Sequence, residues 1–282
     1  MNDKTDSLKS AIYGLAVGDA LGVPYEFKFR GAFECTDMIG YGTHNQPEGT
    51  WSDDTSMTLA TCASIKARGR VDVDDIRDRF RRWLNEGAYT PFGKVFDCGN
   101  TCAEAIRSGR GCDGEWSNGN GSLMRIIPLA FVEGITDAEI EAVSAITHAH
   151  SLSKLACVCY VRIAIDLVNG VSLAESIKRH VPGNSKLSGA IGIENVLRSD
   201  GMGSSGYVVD TFVAAMWCLL TTDNYRDCVL KAVNLGSDTD TTAAVAGGLA
   251  GIMYGLEGIP DEWLSKMKSM DMIDQELFSS LQ

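Results

Sequence analysis

Hydrophobic residues recur along most of this chain at three- and four-residue steps. Ile76, Phe80 and Trp83 show this spacing, and so do Ile140 and Val143. Such spacing places apolar side chains on one face of a helix. Two further segments begin with Ser or Thr followed three residues later by Glu, a pattern in which both side chains cap the first turn of a helix. These predicted helix starts are Thr136 with Glu139 and Ser172 with Glu175.

Extended structure is predicted at one short segment, Tyr207-Val208-Val209, which consists of β-prone residues. A further apolar helix is expected to follow it, from about Asp210 to Leu220. No Pro- or Ser-rich linker and no tandem repeat divides residues 1–282. The sequence therefore predicts an all-α fold with many helices in one compact domain.

One predicted helix is rich in small residues. After Thr241, Ala244, Gly247, Gly248 and Gly251 are expected to fall on one face of the helix, at three- and four-residue steps. Glycine in a helix costs about 1 kcal/mol relative to alanine, which is tolerable where it lets another backbone approach closely. We therefore expect a central helix that packs nearly backbone to backbone against its neighbours. A membrane dimerisation helix is excluded because the apolar stretch is short and interrupted.

The composition is close to that of an average soluble globular protein, with 45% hydrophobic and 22% charged residues. The formal charge of −12 and the lack of a Lys/Arg cluster argue against binding of nucleic acid through its phosphates. No apolar run is long enough to cross a membrane. The polar start MNDKTDSLKS and nine scattered cysteines predict a cytoplasmic protein with buried, reduced thiols.

Two acidic clusters lie at the predicted starts of apolar helices, far apart in the sequence. Either cluster alone is most simply explained as a helix cap. Adjacent carboxylates repel one another unless a cation or a proton lies between them, so two such clusters favour a bound metal if the fold brings them together. Oxygen ligands suit Mg²⁺ or Mn²⁺ better than Zn²⁺. The candidate ligands are Ser52, Asp53, Asp54, Asp238, Asp240 and Thr241.

Three other kinds of site are weaker hypotheses. A calcium loop beginning at Asp238 would need Gly where Ala243 stands and Glu where Leu249 stands. A zinc site would need paired CxxC or His ligands, which the spacing does not provide. Residues 201–206, GMGSSG, match the dinucleotide fingerprint GxGxxG, but no hydrophobic strand precedes them and no helix directly follows. We interpret this segment as a flexible loop that closes on a ligand through Tyr207.

The segment Trp116-Ser117-Asn118-Gly119-Asn120-Gly121-Ser122 leads into a predicted helical stretch at Leu123. Glycines allow backbone N–H groups to turn toward an anion, and a following helix N-terminus adds a favourable dipole. A diphosphate would fit such a loop. An ordinary Asn/Gly turn is the alternative interpretation.

Taken in order, these motifs resemble those of the ADP-ribosylglycohydrolases. The resemblance extends over almost the whole chain, and several motifs in the right order are far more specific than any one of them. They are GLAVGDALG at 14–22, WSDDT at 51–55, GNT at 99–101, GNGSLMR at 119–125, THAH at 147–150 and GSDTDT at 236–241.

The resemblance implies an all-α fold in which the two acidic clusters meet in a cleft and hold two divalent ions, usually Mg²⁺ or Mn²⁺. It also implies that Glu26 lies near the reacting ribose. Glu26, Asp54 and Asp97 are the candidate catalytic carboxylates, with their division of roles left open. Arg125 is expected to brace the glycine loop. The substrate-binding residues that we predict are Ser117, Asn118, Gly119, Asn120, Gly121, Ser122, His148 and Tyr207.

The leading hypothesis for function is hydrolysis of ADP-ribose from arginine on a modified protein, which reverses mono-ADP-ribosylation. Release from serine or from small molecules stays open, because the shared core recognises ADP-ribose and not the leaving group. A non-catalytic, crystallin-like binding protein is a hypothesis of another class, and the intact ligand clusters argue against it. A further alternative is defence against an ADP-ribosylating toxin, with the ADP-ribosyltransferase or its target as the partner.

Overall fold

The computed structural model describes residues 4–181 and 202–279, and within them the chain is helical and forms no strand. Short 3₁₀ helices at Val23–Tyr25, Gly42–His44, Leu123–Arg125, Ile127–Phe131 and Leu256–Gly258 join the longer elements. The α-helices in the described ranges are α1 Lys4–Gly22, α2 Asp53–Arg68, α3 Val73–Glu86, α4 Asn100–Ser108, α5 Asp137–Ser144, α6 Ser151–Val168, α7 Leu173–His180, α8 Val208–Leu220, α9 Tyr225–Val233, α10 Thr239–Tyr254, α11 Asp261–Leu264 and α12 Met270–Glu276.

Both predicted helix starts are confirmed, and the reciprocal bond from the glutamate is present at the first of them but not at the second. At the start of α5, Thr136 Oγ1 accepts a hydrogen bond from the Glu139 amide at 3.3 Å, and Glu139 Oε2 accepts one from the Thr136 amide at 2.9 Å. At the start of α7, Ser172 Oγ accepts a hydrogen bond from the Glu175 amide at 3.4 Å. These bonds satisfy backbone donors that a helix start leaves free, so the sequence alone located both helix starts.

The prediction of extended structure at residues 207–209 is wrong for Val208 and Val209. Val208 and Val209 form the first turn of α8, and Tyr207 stays extended as its N-cap residue. Tyr207 retains a single β-like bridge, to Gly119. Both valines are buried, so packing within a helix outweighs their β propensity. Gly201, the first residue of the GMGSSG segment, lies outside the described residues.

The close packing predicted for the small-residue helix, α10, is confirmed. A Cβ atom on Gly18 of α1 would lie 2.2 Å from the Ala243 carbonyl oxygen, and one on Gly14 would lie 2.3 Å from the Gly247 oxygen. The two backbones therefore touch, which only glycine permits at these positions. Gly248 faces α6 and a neighbouring 3₁₀ helix instead, so the small residues of α10 serve two contacts.

This helix pair also sets the geometry of the acidic clusters. Gly22, the last residue of α1, lies so close to α10 that a Cβ atom there would be 2.3 Å from the Asp240 Cα atom. The first turn of α10 is thereby fixed beside the last turn of α1, which also contacts the start of α2.

The cysteines are all free, and seven of the nine are buried as predicted, whereas Cys98 and Cys112 are partly exposed. None of the helices in the described ranges is long and apolar enough to span a membrane.

Candidate active site

The first acidic cluster lies at the start of α2. Ser52 is the N-cap residue: its Oγ accepts a hydrogen bond from the Asp54 amide at 3.3 Å and donates one to Asp54 Oδ2 at 3.2 Å. Asp19, in the last turn of α1, accepts hydrogen bonds from the amides of Ser52 at 2.9 Å and Thr55 at 3.0 Å. Ser52 and Asp19 together cap α2, so capping does not account for the carboxylates of Asp53 and Asp54.

The second acidic cluster lies at the start of α10 and meets the first. Asp238 occupies the N-cap position, yet its side chain makes no capping hydrogen bond. Its Oδ2 accepts a hydrogen bond from Asn120 Nδ2 at 2.9 Å instead. Thr241 Oγ1 donates a hydrogen bond to Asp54 Oδ2 at 3.3 Å and so joins the two clusters. The helix-cap interpretation therefore fails for Asp238.

The donor set at this junction fits a hard divalent cation. Among the described residues, three buried carboxylate oxygens have no hydrogen-bond partner: Asp54 Oδ1, Asp238 Oδ1 and Asp240 Oδ2. Such oxygens are costly to bury unless a proton or a cation satisfies them. Asp19, Asp54 and Asp240 bring one ligand oxygen each within 4.8 Å of the others. These acidic residues could hold a metal ion, and oxygen-only ligands are those that Mg²⁺ and Mn²⁺ prefer.

Burial dominates the electrostatics of the junction. It raises the pKa values of Asp53, Asp54 and Asp240 well above the usual range, and the neighbouring carboxylates raise them further. Burial also raises the pKa of Asp238, while the hydrogen bond from Asn120 opposes the rise. The protein interior thus disfavours several negative charges at this place, and positive charge would be strongly stabilised there.

Glu26 faces the junction from the end of the first 3₁₀ helix. Its carboxylate forms a hydrogen bond with Nε2 of His44. Glu26, His44, Asp97 and Asp240 place one ligand atom each within 4.8 Å of the others. Burial raises the pKa of Glu26 to about 7, although the hydrogen bond with His44 lowers it.

Part of this set of carboxylates lines a cavity of about 360 Å³. Ser52, Asp54 and Asp240 are buried and do not line it. The predicted residues that do line the cavity are Glu26, Asp53, Asp97, Gly119, Asn120, Gly121, His148, Asp238 and Thr241.

The glycine loop forms another part of the cavity wall, through Gly119, Asn120 and Gly121. The Asn120 amide donates a hydrogen bond to the Gly206 carbonyl at 3.0 Å, and the Asn120 side chain reaches Asp238, so the loop is attached to the start of α10. Gly121 packs so tightly that a Cβ atom there would lie 2.7 Å from Cys102 Sγ. The predicted helix after the loop is a single 3₁₀ turn, so the dipole of an α-helix is not available at this position.

The other predicted binding residues lie outside this wall. Asn118 and Tyr207 line a neighbouring groove of about 950 Å³, which meets the cavity at Gly119. The Ser117 amide donates a hydrogen bond to the Gly114 carbonyl at 2.9 Å, within the same turn. Ser122 is fully buried, and its Oγ accepts a hydrogen bond from a serine of α5 at 2.9 Å. Its side chain therefore points into the core, and only its backbone faces the loop.

Asp19 and His44 are site residues that the sequence analysis did not select. The sequence does contain a signal for Asp19, because it is the only charged residue in the apolar run 11–22. The sequence contains no such signal for His44, since it lies in a short 3₁₀ turn and reaches Glu26 only through the tertiary fold.

Known proteins show the same combination of fold and motifs. A family model described as ADP-ribosylglycohydrolase matches residues 1–281. The chain belongs to the ADP-ribosylglycohydrolase family. As a member of this family it is an ADP-ribosylhydrolase, which is a glycosidase, and the family assignment made from the motifs is confirmed.

Individual relatives are similar over most of their length. The chain is 35% identical to ADP-ribosylarginine hydrolase Tri1 of Serratia proteamaculans, over 99% of this chain and 79% of the relative. It is 35% identical to ADP-ribosyl-[dinitrogen reductase] glycohydrolase of Rhodospirillum rubrum, over 93% of this chain and 90% of the relative. A solved ADP-ribosylglycohydrolase-related protein complex matches with a TM-score of 0.85 and 29% identity, over 98% of this chain and 97% of that chain. The predicted all-α fold is confirmed.

Proposed function

We propose that this enzyme hydrolyses the N-glycosidic bond between ADP-ribose and an arginine side chain of a modified protein. The observation that carries the proposal is the meeting of two acidic helix starts at a cavity that a glycine loop also lines. A cation site for the ribose and a backbone surface for the diphosphate then border one cavity. The two relatives at 35% identity, one of them named for arginine, support the choice of linkage.

The lining also favours arginine over serine as the leaving group. Glu26 and Asp97 both face the cavity, and a carboxylate attracts a guanidinium group, which is positively charged or becomes so on leaving. A serine hydroxyl carries no charge and gains less from this surface.

We assign two divalent ions, Mg²⁺ or Mn²⁺, to the junction. Such a metal pair, when bound, would supply a hold on the ribose hydroxyls and an activated water. The three buried carboxylate oxygens without partners support this assignment. The proposed ligands are Ser52, Asp53, Asp54, Asp238, Asp240 and Thr241.

The catalytic roles follow from which carboxylates reach the cavity. The transition state of glycoside cleavage resembles an oxocarbenium ion, so one carboxylate near the ring stabilises charge and another transfers a proton. Glu26 and Asp97 line the cavity, whereas Asp54 is completely buried and does not line it. We therefore assign proton transfer to Glu26 or Asp97, and metal binding to Asp54.

We assign the diphosphate to the backbone of residues 117–122 and a ligand contact to His148. Tyr207 lies at the border of the cavity and the wider groove, where its exposed ring could contact the remainder of ADP-ribose. A cytoplasmic location, and a toxin or its target as a partner, stay predictions.

Matched peptides that carry ADP-ribose on arginine or on serine test the proposal. Each peptide is incubated with the protein in the presence of Mg²⁺, Mn²⁺ or chelator, and free ADP-ribose is quantified. We expect metal-dependent release that is faster from arginine by at least tenfold. Faster release from serine would overturn the linkage, and no release from either peptide would favour a binding protein.

A further inference from the structure

A chain of buried hydrogen bonds leads from Arg125 to His148 behind the wall of the cavity. Arg125 Nη2 donates a hydrogen bond to Thr147 Oγ1 at 2.8 Å. The same oxygen lies 3.0 Å from Nδ1 of His148. Arg125 and Thr147 are completely buried, and His148 is only 2% exposed, so water does not compete for these bonds.

This arrangement favours one direction for the hydroxyl hydrogen of Thr147. A guanidinium group only donates hydrogen bonds, so Thr147 Oγ1 must accept from Arg125. Within the part of the chain that the structure describes, this hydroxyl reaches Nδ1 of His148 and the thiol of Cys102, and sulfur is by far the weaker acceptor of the two. Thr147 therefore donates to Nδ1, and a neutral imidazole then carries its hydrogen on Nε2.

The surroundings keep the imidazole neutral. Burial and, to a smaller extent, the positive charge of Arg125 together lower the pKa of His148 to about 3. Burial lowers the pKa of Arg125 to about 10, so this guanidinium remains charged at neutral pH. The side chain at position 148 is thus a neutral ring with one N–H donor.

That donor faces the glycine loop. His148 lines the cavity, and a Cβ atom on Gly119 would lie 3.1 Å from its Nε2. No hydrogen-bond partner for Nε2 occurs in the described ranges 4–181 and 202–279. A nearly buried N–H group without a partner, at the wall of a cavity, is a ready donor for an oxygen of a ligand.

We propose that Thr147 and Arg125 are positioning residues that fix the Nε2–H tautomer of His148, so that this group donates a hydrogen bond to an oxygen of ADP-ribose beside the glycine loop. The identity of the ligand rests on the proposed function. The tautomer does not, because it is set within the protein.

The tautomer can be observed directly by two-bond ¹H–¹⁵N correlation spectra of ¹⁵N-labelled protein at pH 7 without ligand. The chain has four histidines, and His148→Gln identifies the signal by its loss. We expect the Nε2–H pattern in the wild type and in Thr147→Ser, and loss of this pure pattern in Thr147→Val. An Nδ1–H pattern in the wild type, or an unchanged pattern in Thr147→Val, would overturn the positioning role.

Calorimetry with ADP-ribose provides a second readout that does not depend on the folding of Thr147→Val. The side-chain amide of Gln can place an N–H near the position of Nε2, whereas the shorter Asn cannot. We expect His148→Gln to bind within about threefold of the wild type and His148→Asn to bind at least tenfold more weakly. Equal affinities of the two variants would refute donation by Nε2. Failure of the wild type to bind ADP-ribose would refute the proposed function, while the spectra would still decide the tautomer.

Discussion

Replacement of Asp54 or Asp240 by Asn tests whether the junction of the two helix starts is a cation site. Both side chains are almost completely buried, and with Asp19 their ligand oxygens lie within 4.8 Å of one another. At an effective dielectric constant of about 20, two unit charges at that separation repel by about 3.5 kcal/mol. Proton uptake, which the raised pKa values of both groups indicate, relieves part of this repulsion. Each variant should therefore be more stable than the metal-free wild type by about 1–3 kcal/mol.

Bound metal should reverse this order. The wild type gains about 2.7 kcal/mol at a metal concentration 100 times its Kd, because the ion binds only the folded state. Each Asn variant has lost a charged ligand and gains less. The hydrolysis rate with metal present should fall to a small fraction of the wild-type rate in both variants, so each substitution raises stability without metal and lowers activity with it.

The assay is a set of melting curves with chelator and with excess Mg²⁺, beside a hydrolysis assay. One kcal/mol corresponds to a change in Tm of roughly 2–4 °C for a protein of this size. Asp72→Asn is the matched control, because Asp72 caps α3 by accepting a hydrogen bond from the Asp75 amide at 3.1 Å and Asn caps equally well. If Asp54→Asn and Asp240→Asn also melt as the wild type does in both conditions and remain active, these aspartates are structural and the metal assignment is wrong.

Four shorter predictions address other parts of the structure. Chelation should abolish hydrolysis, and Mg²⁺ or Mn²⁺ should restore the rate better than Zn²⁺, since all proposed ligands are oxygens; full activity after removal of metal would exclude the mechanism. Gly121→Val should weaken ADP-ribose binding at least tenfold by calorimetry, because its Cβ would meet Cys102 Sγ at 2.7 Å and His148 Cε1 at 2.8 Å; unchanged affinity would place the diphosphate elsewhere. Gly18→Ala should cost about 3 kcal/mol in urea unfolding, because its Cβ would lie 2.2 Å from a backbone oxygen of α10. Gly114→Ala, whose Cβ would meet nothing closer than 3.6 Å, should cost far less, and equal losses would contradict the close packing. Acid should destabilise the fold through His148, whose pKa falls from 6.5 to about 3 on folding: the unfolded state binds the proton first, so stability present above pH 6.5 is lost as the pH falls toward 3. Between pH 6.5 and 4 the Tm of His148→Gln should fall less than the Tm of the wild type. An equal fall would show that this ring does not titrate as described.

The helices could be predicted from the sequence because their signals are local. Thr136 and Ser172 cap their helices through residues only three positions away, and apolar periodicity identifies a buried face within one helix. Val208 and Val209 were assigned wrongly because their β propensity is also local, whereas the contacts that bury them come from the rest of the fold. Local rules decide the type of most elements and fail where tertiary packing opposes them.

The site could be predicted only in pieces. Each acidic cluster is visible as adjacent carboxylates, but the hydrogen bond from Thr241 to Asp54 joins positions 187 residues apart. No periodicity or spacing encodes that contact, and only the resemblance to a family supplied it in advance. Asp19 and His44 show the same limit, because each acts on a residue that another segment brings to it.

The glycines of α1 help to position the carboxylates of the site, although none of them is proposed to touch the substrate. Several buried carboxylates push one another apart, so the fold must hold them by contacts that do not yield. A side chain on Gly22 would meet the Asp240 backbone and move the start of α10 away from Asp19 and from α2. Contact between two backbones has no rotamers that could adjust, so it fixes the separation of the helix starts more rigidly than side-chain packing would. The small residues that predict close helix packing thus also determine the distance between the carboxylates. That distance determines the charge that the junction is able to bind.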